Sequence, residues 1–94
     1  NPPEVEAALL EDPAVAEAVV LPQDDEHGLT RVIAVVVAAG DGDRPDDGQL
    51  RKRVSAEAGR HAAPAAIHWR ESLPRLPSGK LDRRSLAAEL ARAR

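Results

Sequence analysis

Residues 31–39 read RVIAVVVAA, an apolar run without polar alternation. A strand that shows one face to water alternates apolar and polar residues, so an unbroken run reads as a central strand buried on both faces. The chain has 94 residues. That is one small domain, which buries roughly 60–65% of the surface its unfolded form exposes. The core is therefore thin, and this strand lies at its centre. Cysteine is absent, which excludes a disulfide framework, a thiolate metal site and a thiol nucleophile. Phe, Tyr and Met are absent too. The core is built from Ala, Val, Leu and Ile, with Trp69 as the lone aromatic and an expected core residue.

The remaining elements follow from local signals. Pro2 and Pro3 suit a first helical turn, where a missing N–H costs nothing. Val5, Ala8 and Leu9 fall at helical spacing and carry a short helix to about Glu11, where Asp12-Pro13 stops it. Ala14–Leu21 predicts a strand, Pro22–Gly28 a polar turn and Arg31–Ala39 the buried strand, the short connection making the two antiparallel. Gly40–Gly48 is a loop by composition. Leu50, Val54 and Ala58 recur every four residues in a charged helix of roughly Asp47–Arg60. Ala65–Arg70 predicts a third strand, with Ile67 and Trp69 on one face and His68 on the other. An irregular loop with Pro74 and Pro77 leads to Asp82, a good N-cap for a last helix. Leu81 and Leu86 occupy the positions of a hydrophobic staple around it. The expected fold is α+β: a small three-stranded sheet with flanking helices, in the order α-β-β-α-β-loop-α.

Charge divides the chain. Residues 1–48 carry a net −10 and residues 49–94 a net +7, for −3 in all. Such asymmetry arises when a basic face meets an anion, or when acids and bases pair within one fold or stay solvated. Nucleic acid is a poor partner, because no aromatic stacking platform accompanies the bases. No apolar run approaches the length of a membrane-spanning helix, and no basic-then-apolar leader opens the chain, so the cytoplasm is the expected compartment. The chain begins at Asn1 and contains no Met. It reads as a piece of a longer protein.

Lys80 is the candidate for chemistry. It follows Gly79 and precedes a capped helix, on a loop stiffened by two prolines. An ammonium so held is a compact point donor to phosphate, although most lone loop lysines are simply solvated. The loop is not a Walker A phosphate loop, because Pro74 and Leu81 stand where that motif needs Gly and Ser or Thr.

The stretch from Leu73 to Leu86 (LPRLPSGKLDRRSL) resembles the last core motif of the adenylate-forming enzymes, LPRTxxGKxxRxxL. These are the acyl- and aryl-CoA synthetases, the adenylation domains of nonribosomal peptide synthetases, and the luciferases. The opening NPPEVEAAL is similar to the first helix after that family's hinge, and DPAVAEAVV to the strand that follows. The resemblance covers essentially all 94 residues in order. It implies that residues 1–94 are the mobile C-terminal lid subdomain of an AMP-forming carboxylic acid ligase, whose large N-terminal domain would hold ATP, magnesium and the acid. It implies that Lys80 is the catalytic lysine of acyl-adenylate formation, with Gly79 and Lys80 at the nucleotide. It further implies a second step, in which the lid rotates and a thiol of CoA or a carrier-protein phosphopantetheine attacks the adenylate. By itself the lid is expected to be inert.

The acceptor stays open. Where the family pattern has a base close to the proline that ends the second helix, this chain reads Arg60-His61-Ala62-Ala63-Pro64, leaving Arg60 as the replacement or the thiol partner different. Leu29 follows the first turn where a polar residue is usual. Asp82 in GKLDR leans to the carrier-protein branch, and the opening helix to the CoA-ligase branch. A third reading, of another class, is a free-standing interaction module with the lid fold. His27, His61 and His68 lack metal-ligand spacing. The acids Asp24, Asp25, Glu26, Asp41, Asp43, Asp46 and Asp47 lack a calcium-loop pattern. No metal site is expected. Arg83 and Arg84 open the last helix, where cations are slightly unfavourable, and are expected on the surface or against a partner.

Overall fold

The computed structural model describes residues 2–42 and 44–92. Asp43, one of the loop acids above, lies outside the described residues, as do Asn1, Ala93 and Arg94. Helix α1 (Pro2–Leu10), strands β1 (Val15–Asp24) and β2 (Thr30–Ala38), helix α2 (Asp47–Ala58), strand β3 (Ala66–Arg70) and helix α3 (Arg83–Arg92) follow in the expected order. A short 3-10 turn, Arg60–Ala62, is added after α2. The strands form one sheet in the order β1-β2-β3. β1 runs antiparallel to β2, and β3 parallel to it. A parallel pair needs a crossover, and α2 supplies it.

β2 is central, and its side chains divide between two cores. Ala34 and Val36 join Val5 and Leu9 of α1 and Leu50 and Val54 of α2. Ile33, Val35 and Val37 face Leu73 and Leu86. The sheet is thus sandwiched, with α1 and α2 on one face and α3 with its preceding loop on the other. This double burial is why β2 shows no polar alternation.

β1 lies at one edge and is longer than the sequence suggests. Its pairing shifts register between Val15 and Glu17. The bulge at Ala16 inverts the alternation, so Val15 and Val20 share the α1 face while Glu17, Val19 and Leu21 face α3. Pro22 was expected to open the turn, yet it sits inside the strand opposite Val32. The reason is its phase. The Val20 N–H points away from β2 and bonds Glu6 Oε2 at 2.8 Å. Pro22, two residues on, therefore has its missing N–H on the open edge, where no ladder bond is lost.

α2 begins with a reciprocal cap that composition alone hid. Asp46 Oδ1 accepts the Gln49 N–H at 2.7 Å, and Gln49 Oε1 accepts the Asp46 N–H at 3.2 Å. The helix stops at Ala58, two residues short of the expected Arg60. Gly59 has φ 101° and ψ 152°, a region essentially restricted to glycine, and it turns the chain into the 3-10 turn. Trp69 is half-buried at the rim of the first core, not enclosed by it as expected. The Arg44 guanidinium lies 4.9 Å from its ring centroid, and the loop after β2 thereby covers part of the indole.

Beyond their apolar contact, α2 and the turn after α1 bring two acids, Glu57 and Glu11, together. Hydrogen bonding to Glu11, then desolvation and the Glu11 charge, push the Glu57 carboxyl above its ordinary value of 4.5, against a smaller opposing effect of Arg53. A carboxyl raised on folding contributes stability below its unfolded pKa and loses it as pH rises through the folded one. Glu57→Gln is therefore expected to raise the melting temperature at pH 7 and leave it unchanged below about pH 4. Both groups are at the surface, so added salt should shrink the gain. Thermal melts at the two pH values check this.

Candidate functional site

The loop before α3 is a small hairpin. Arg75 and Leu81 form an antiparallel bridge. The Leu76 N–H bonds the Lys80 carbonyl at 2.8 Å, and the Gly79 N–H bonds the Leu76 carbonyl at 2.8 Å. The Asp82 N–H closes the base on the Pro74 carbonyl at 2.9 Å. Pro77-Ser78-Gly79 is thus a three-residue turn ending in a bulge. Pro77 presets the first corner, and Gly79 takes φ 91°, which only glycine adopts freely. A Cβ at Gly79 would meet nothing within 4 Å. Gly79→Ala should therefore cost about 1–2 kcal/mol through backbone strain alone, read as a shift in the urea midpoint.

Register decides where Lys80 points. Leu81 is half-buried and packs against the core that holds Leu73 and Leu86. Neighbouring residues of an extended arm face opposite ways. Lys80 therefore faces outward, and it is exposed. Among the described residues no ion pair engages its ammonium. The arm then passes into α3 through Asp82, whose Oδ1 accepts the Ser85 N–H at 3.0 Å and whose Oδ2 accepts the Ser85 hydroxyl at 2.8 Å. The backbone and side-chain bonds from Ser85 hold the Asp82 carboxyl below its ordinary value. The β1–β2 turn closes by the same bond pattern, from Asp25 to Leu29. Turn geometry is thus common to both tips, and only the second carries a cation after its glycine.

The basic half of the chain is fastened to the acidic half. Arg53 lies 3.8 Å from Asp12, Arg75 pairs with Glu17, and Arg83 lies 3.8 Å from Glu6. The charge asymmetry is in this part internal pairing. Arg83 also reaches the Val20 carbonyl at 3.5 Å, while Arg84 stays exposed. Glu6 and Glu17 were not singled out in the sequence, because their partners lie far along the chain; the opposed halves were the one signal. His27 and His61 are exposed in turns, and His68 lies on β3 with its Nε2 enclosed and unpartnered. Among the described residues no three His, Asp or Glu gather into a group that could hold a metal ion. Nor, among them, is any helix long and apolar enough to cross a membrane.

Residues 4–80 match the AMP-binding enzyme C-terminal domain. One of the linear gramicidin synthase subunits of Brevibacillus parabrevis is 42% identical over 84 residues, covering 88% of this chain and 1% of that protein. The acetyl-coenzyme A synthetase of Rubrobacter xylanophilus is 40% identical over 85 residues, 88% of this chain and 13% of that protein. The crystal structure of Brucella canis acyl-CoA synthetase superposes with a TM-score of 0.83 at 34% identity, over 99% of this chain and 18% of that one. The chain spans less than a fifth of the length of each of these proteins. Alike in sequence over most of its residues and in fold over nearly all of them, this chain belongs to the AMP-binding enzyme C-terminal domain family, within the adenylate-forming superfamily.

Proposed function

We propose that this chain is the mobile lid of an ATP-dependent, AMP-forming carboxylic acid ligase, and that Lys80 delivers the positive charge for acyl-adenylate formation. The observation that carries the reading is an outward ammonium, unpaired among the described residues, at the tip of a hairpin whose backbone is fixed by three hydrogen bonds. In the reaction a carboxylate oxygen forms a bond to the α-phosphorus of ATP. The bond from that phosphorus to the bridging oxygen breaks, and pyrophosphate leaves with the electron pair. An anion attacks an anion, and charge builds on the phosphoryl oxygens. A cation held in place offsets both without reorganising. Gly79 and Lys80 approach the nucleotide from the lid side; a large N-terminal domain, as the lid's partner, holds magnesium-ATP and the acid.

The thiol acceptor of the second step is CoA in this reading, as the likeness to acetyl-coenzyme A and acyl-CoA synthetases suggests. The 42% identity to a gramicidin synthase favours the second reading, an amino-acid-activating enzyme that loads a carrier-protein phosphopantetheine.

The test uses the full-length enzyme. ATP–pyrophosphate exchange is screened across acetate, longer fatty acids, benzoate and the amino acids. Lys80→Ala is then compared with the parent in exchange and, separately, in thiol capture from a supplied acyl-adenylate, with CoA and a phosphopantetheinylated carrier as alternative acceptors. The reading expects exchange to collapse while capture persists. Equal loss in both half-reactions overturns it.

A further inference from the structure

We propose that Glu17 and Glu6 are positioning residues for Lys80, acting through Arg75 and Arg83 to hold the lysine-bearing hairpin at a fixed angle to the sheet. The inference rests on the assignment of Lys80 to adenylate formation. Arg75 stands in the first arm of the hairpin, opposite Leu81, and grips Glu17 of β1 by a hydrogen-bonded ion pair. Arg83 stands three residues beyond Lys80 and reaches Glu6 of α1 and the Val20 carbonyl of β1. Glu6 is itself anchored, because its Oε2 accepts the Val20 N–H at 2.8 Å. One charge contact therefore flanks the hairpin on each side.

The apolar grip between them is slight. Leu73 and Leu86 are buried but lie outside the hairpin, Leu81 is half-buried, and Leu76 is 42% exposed. Backbone bonds fix the shape of the hairpin, yet they do not fix its tilt on the domain. The tilt is set by the Leu81 contact together with the two arginines. Both pairs are partly solvated, with side-chain exposures of 46% and 35% for Arg75 and Glu17, so they add little to stability. Placement is a stricter demand, since about 1 Å of misplacement of a reacting group can cost about 10²-fold in rate. A third pair, Arg70–Glu89 at 2.6 Å, ties the distal end of α3 to β3. Glu89 lies six residues past Arg83, about 9 Å along the helix, and makes a matched control.

The full-length enzyme is prepared as Glu17→Gln, Glu6→Gln, the exchanged pair Glu17→Arg with Arg75→Glu, and the control Glu89→Gln. With the acid found in the exchange screen, Glu17→Gln and Glu6→Gln should each lower kcat for ATP–pyrophosphate exchange roughly tenfold, leave KM within about twofold, and leave thiol capture from supplied adenylate unchanged. The exchanged pair should recover most of the kcat, and Glu89→Gln should keep it. Unchanged kcat in both single variants overturns the proposal, as does an equal fall in thiol capture or no recovery by the exchanged pair. Lys80→Ala run in parallel separates the two ideas. If it too spares exchange, the reading of Lys80 fails. If it abolishes exchange while Glu17→Gln and Glu6→Gln do not, only the positioning inference fails.

Discussion

Lys80→Ala is expected to slow acyl-adenylate formation by about 10²–10³-fold, equivalent to roughly 3–4 kcal/mol of transition-state stabilisation. The size follows from the role proposed for the side chain. A carboxylate and a polyphosphate repel, and negative charge accumulates on the α-phosphoryl oxygens as pyrophosphate departs. A closing lid excludes water, and in that medium a fixed ammonium acts with far less screening than in bulk. The turn supplies the fixing: the Leu76–Lys80 and Gly79–Leu76 bonds, both 2.8 Å, hold the Cα of Lys80 so that only its own stem has to be ordered. Because the interaction strengthens as charge develops, the loss should fall on kcat more than on KM. Lys80→Arg should restore little, because a planar guanidinium needs more room than an ammonium and spreads its charge over a fork. In the proposed mechanism thiol capture takes place in a different lid orientation, so it should keep near-parental rates. Separate kinetics of the two half-reactions decide the point.

Leu86→Ala is expected to cost the domain about 2–5 kcal/mol, measured as a fall in the urea midpoint at constant slope. Leu86 is fully enclosed. It is the fully buried residue of α3 in the core that holds Ile33, Val35 and Val37 on the second face of the sheet, with Leu90 packed beside it. Truncation removes the apolar contact and leaves a void lined by branched side chains that cannot easily collapse. A domain this small has only several kcal/mol in hand, so the variant should lose a large share of its stability and melt at a clearly lower temperature. It also frees the N-terminus of α3, to which the Lys80 hairpin is joined. In the full-length enzyme, adenylation should therefore fall with the folded fraction, unlike Lys80→Ala, which should leave the melting temperature near its parental value.

Much of this was legible in the chain itself. The unbroken apolar run of β2 announced a strand covered on both faces, and the structure covers it on both. Asp82 announced the start of α3, and Leu81 and Leu86 the staple around it; all three hold these positions. The Gly79-Lys80 step announced an exposed tip. Each of these signals is local, carried by a few neighbouring residues and by conformational rules that act within one turn.

The features that depart from the sequence pattern are of two kinds. Gly59 as the stop of α2 and the Asp46–Gln49 cap are local features. Pro22 and Trp69 were different, because their settings depend on distant partners. A proline ends a strand only if its missing N–H faces a neighbour, and that phase was fixed by the Ala16 bulge and by the pairing of β1 with β2. Trp69 lies on the edge strand β3 at the rim of the first core, beyond the buried Ile67.

By itself, then, the sequence determined the order of the elements, the centre of the core and the residue that carries charge at the hairpin tip, because periodicity, capping and turn chemistry are properties of adjacent residues. Only the tertiary structure decided that β3 joins β2 in parallel, that among the described residues Lys80 stays unpaired while its neighbours Arg75 and Arg83 are claimed by Glu17 and Glu6, and that the opposed charge halves meet within one domain. Those outcomes depend on contacts between residues up to tens of positions apart, whose partners are chosen by packing.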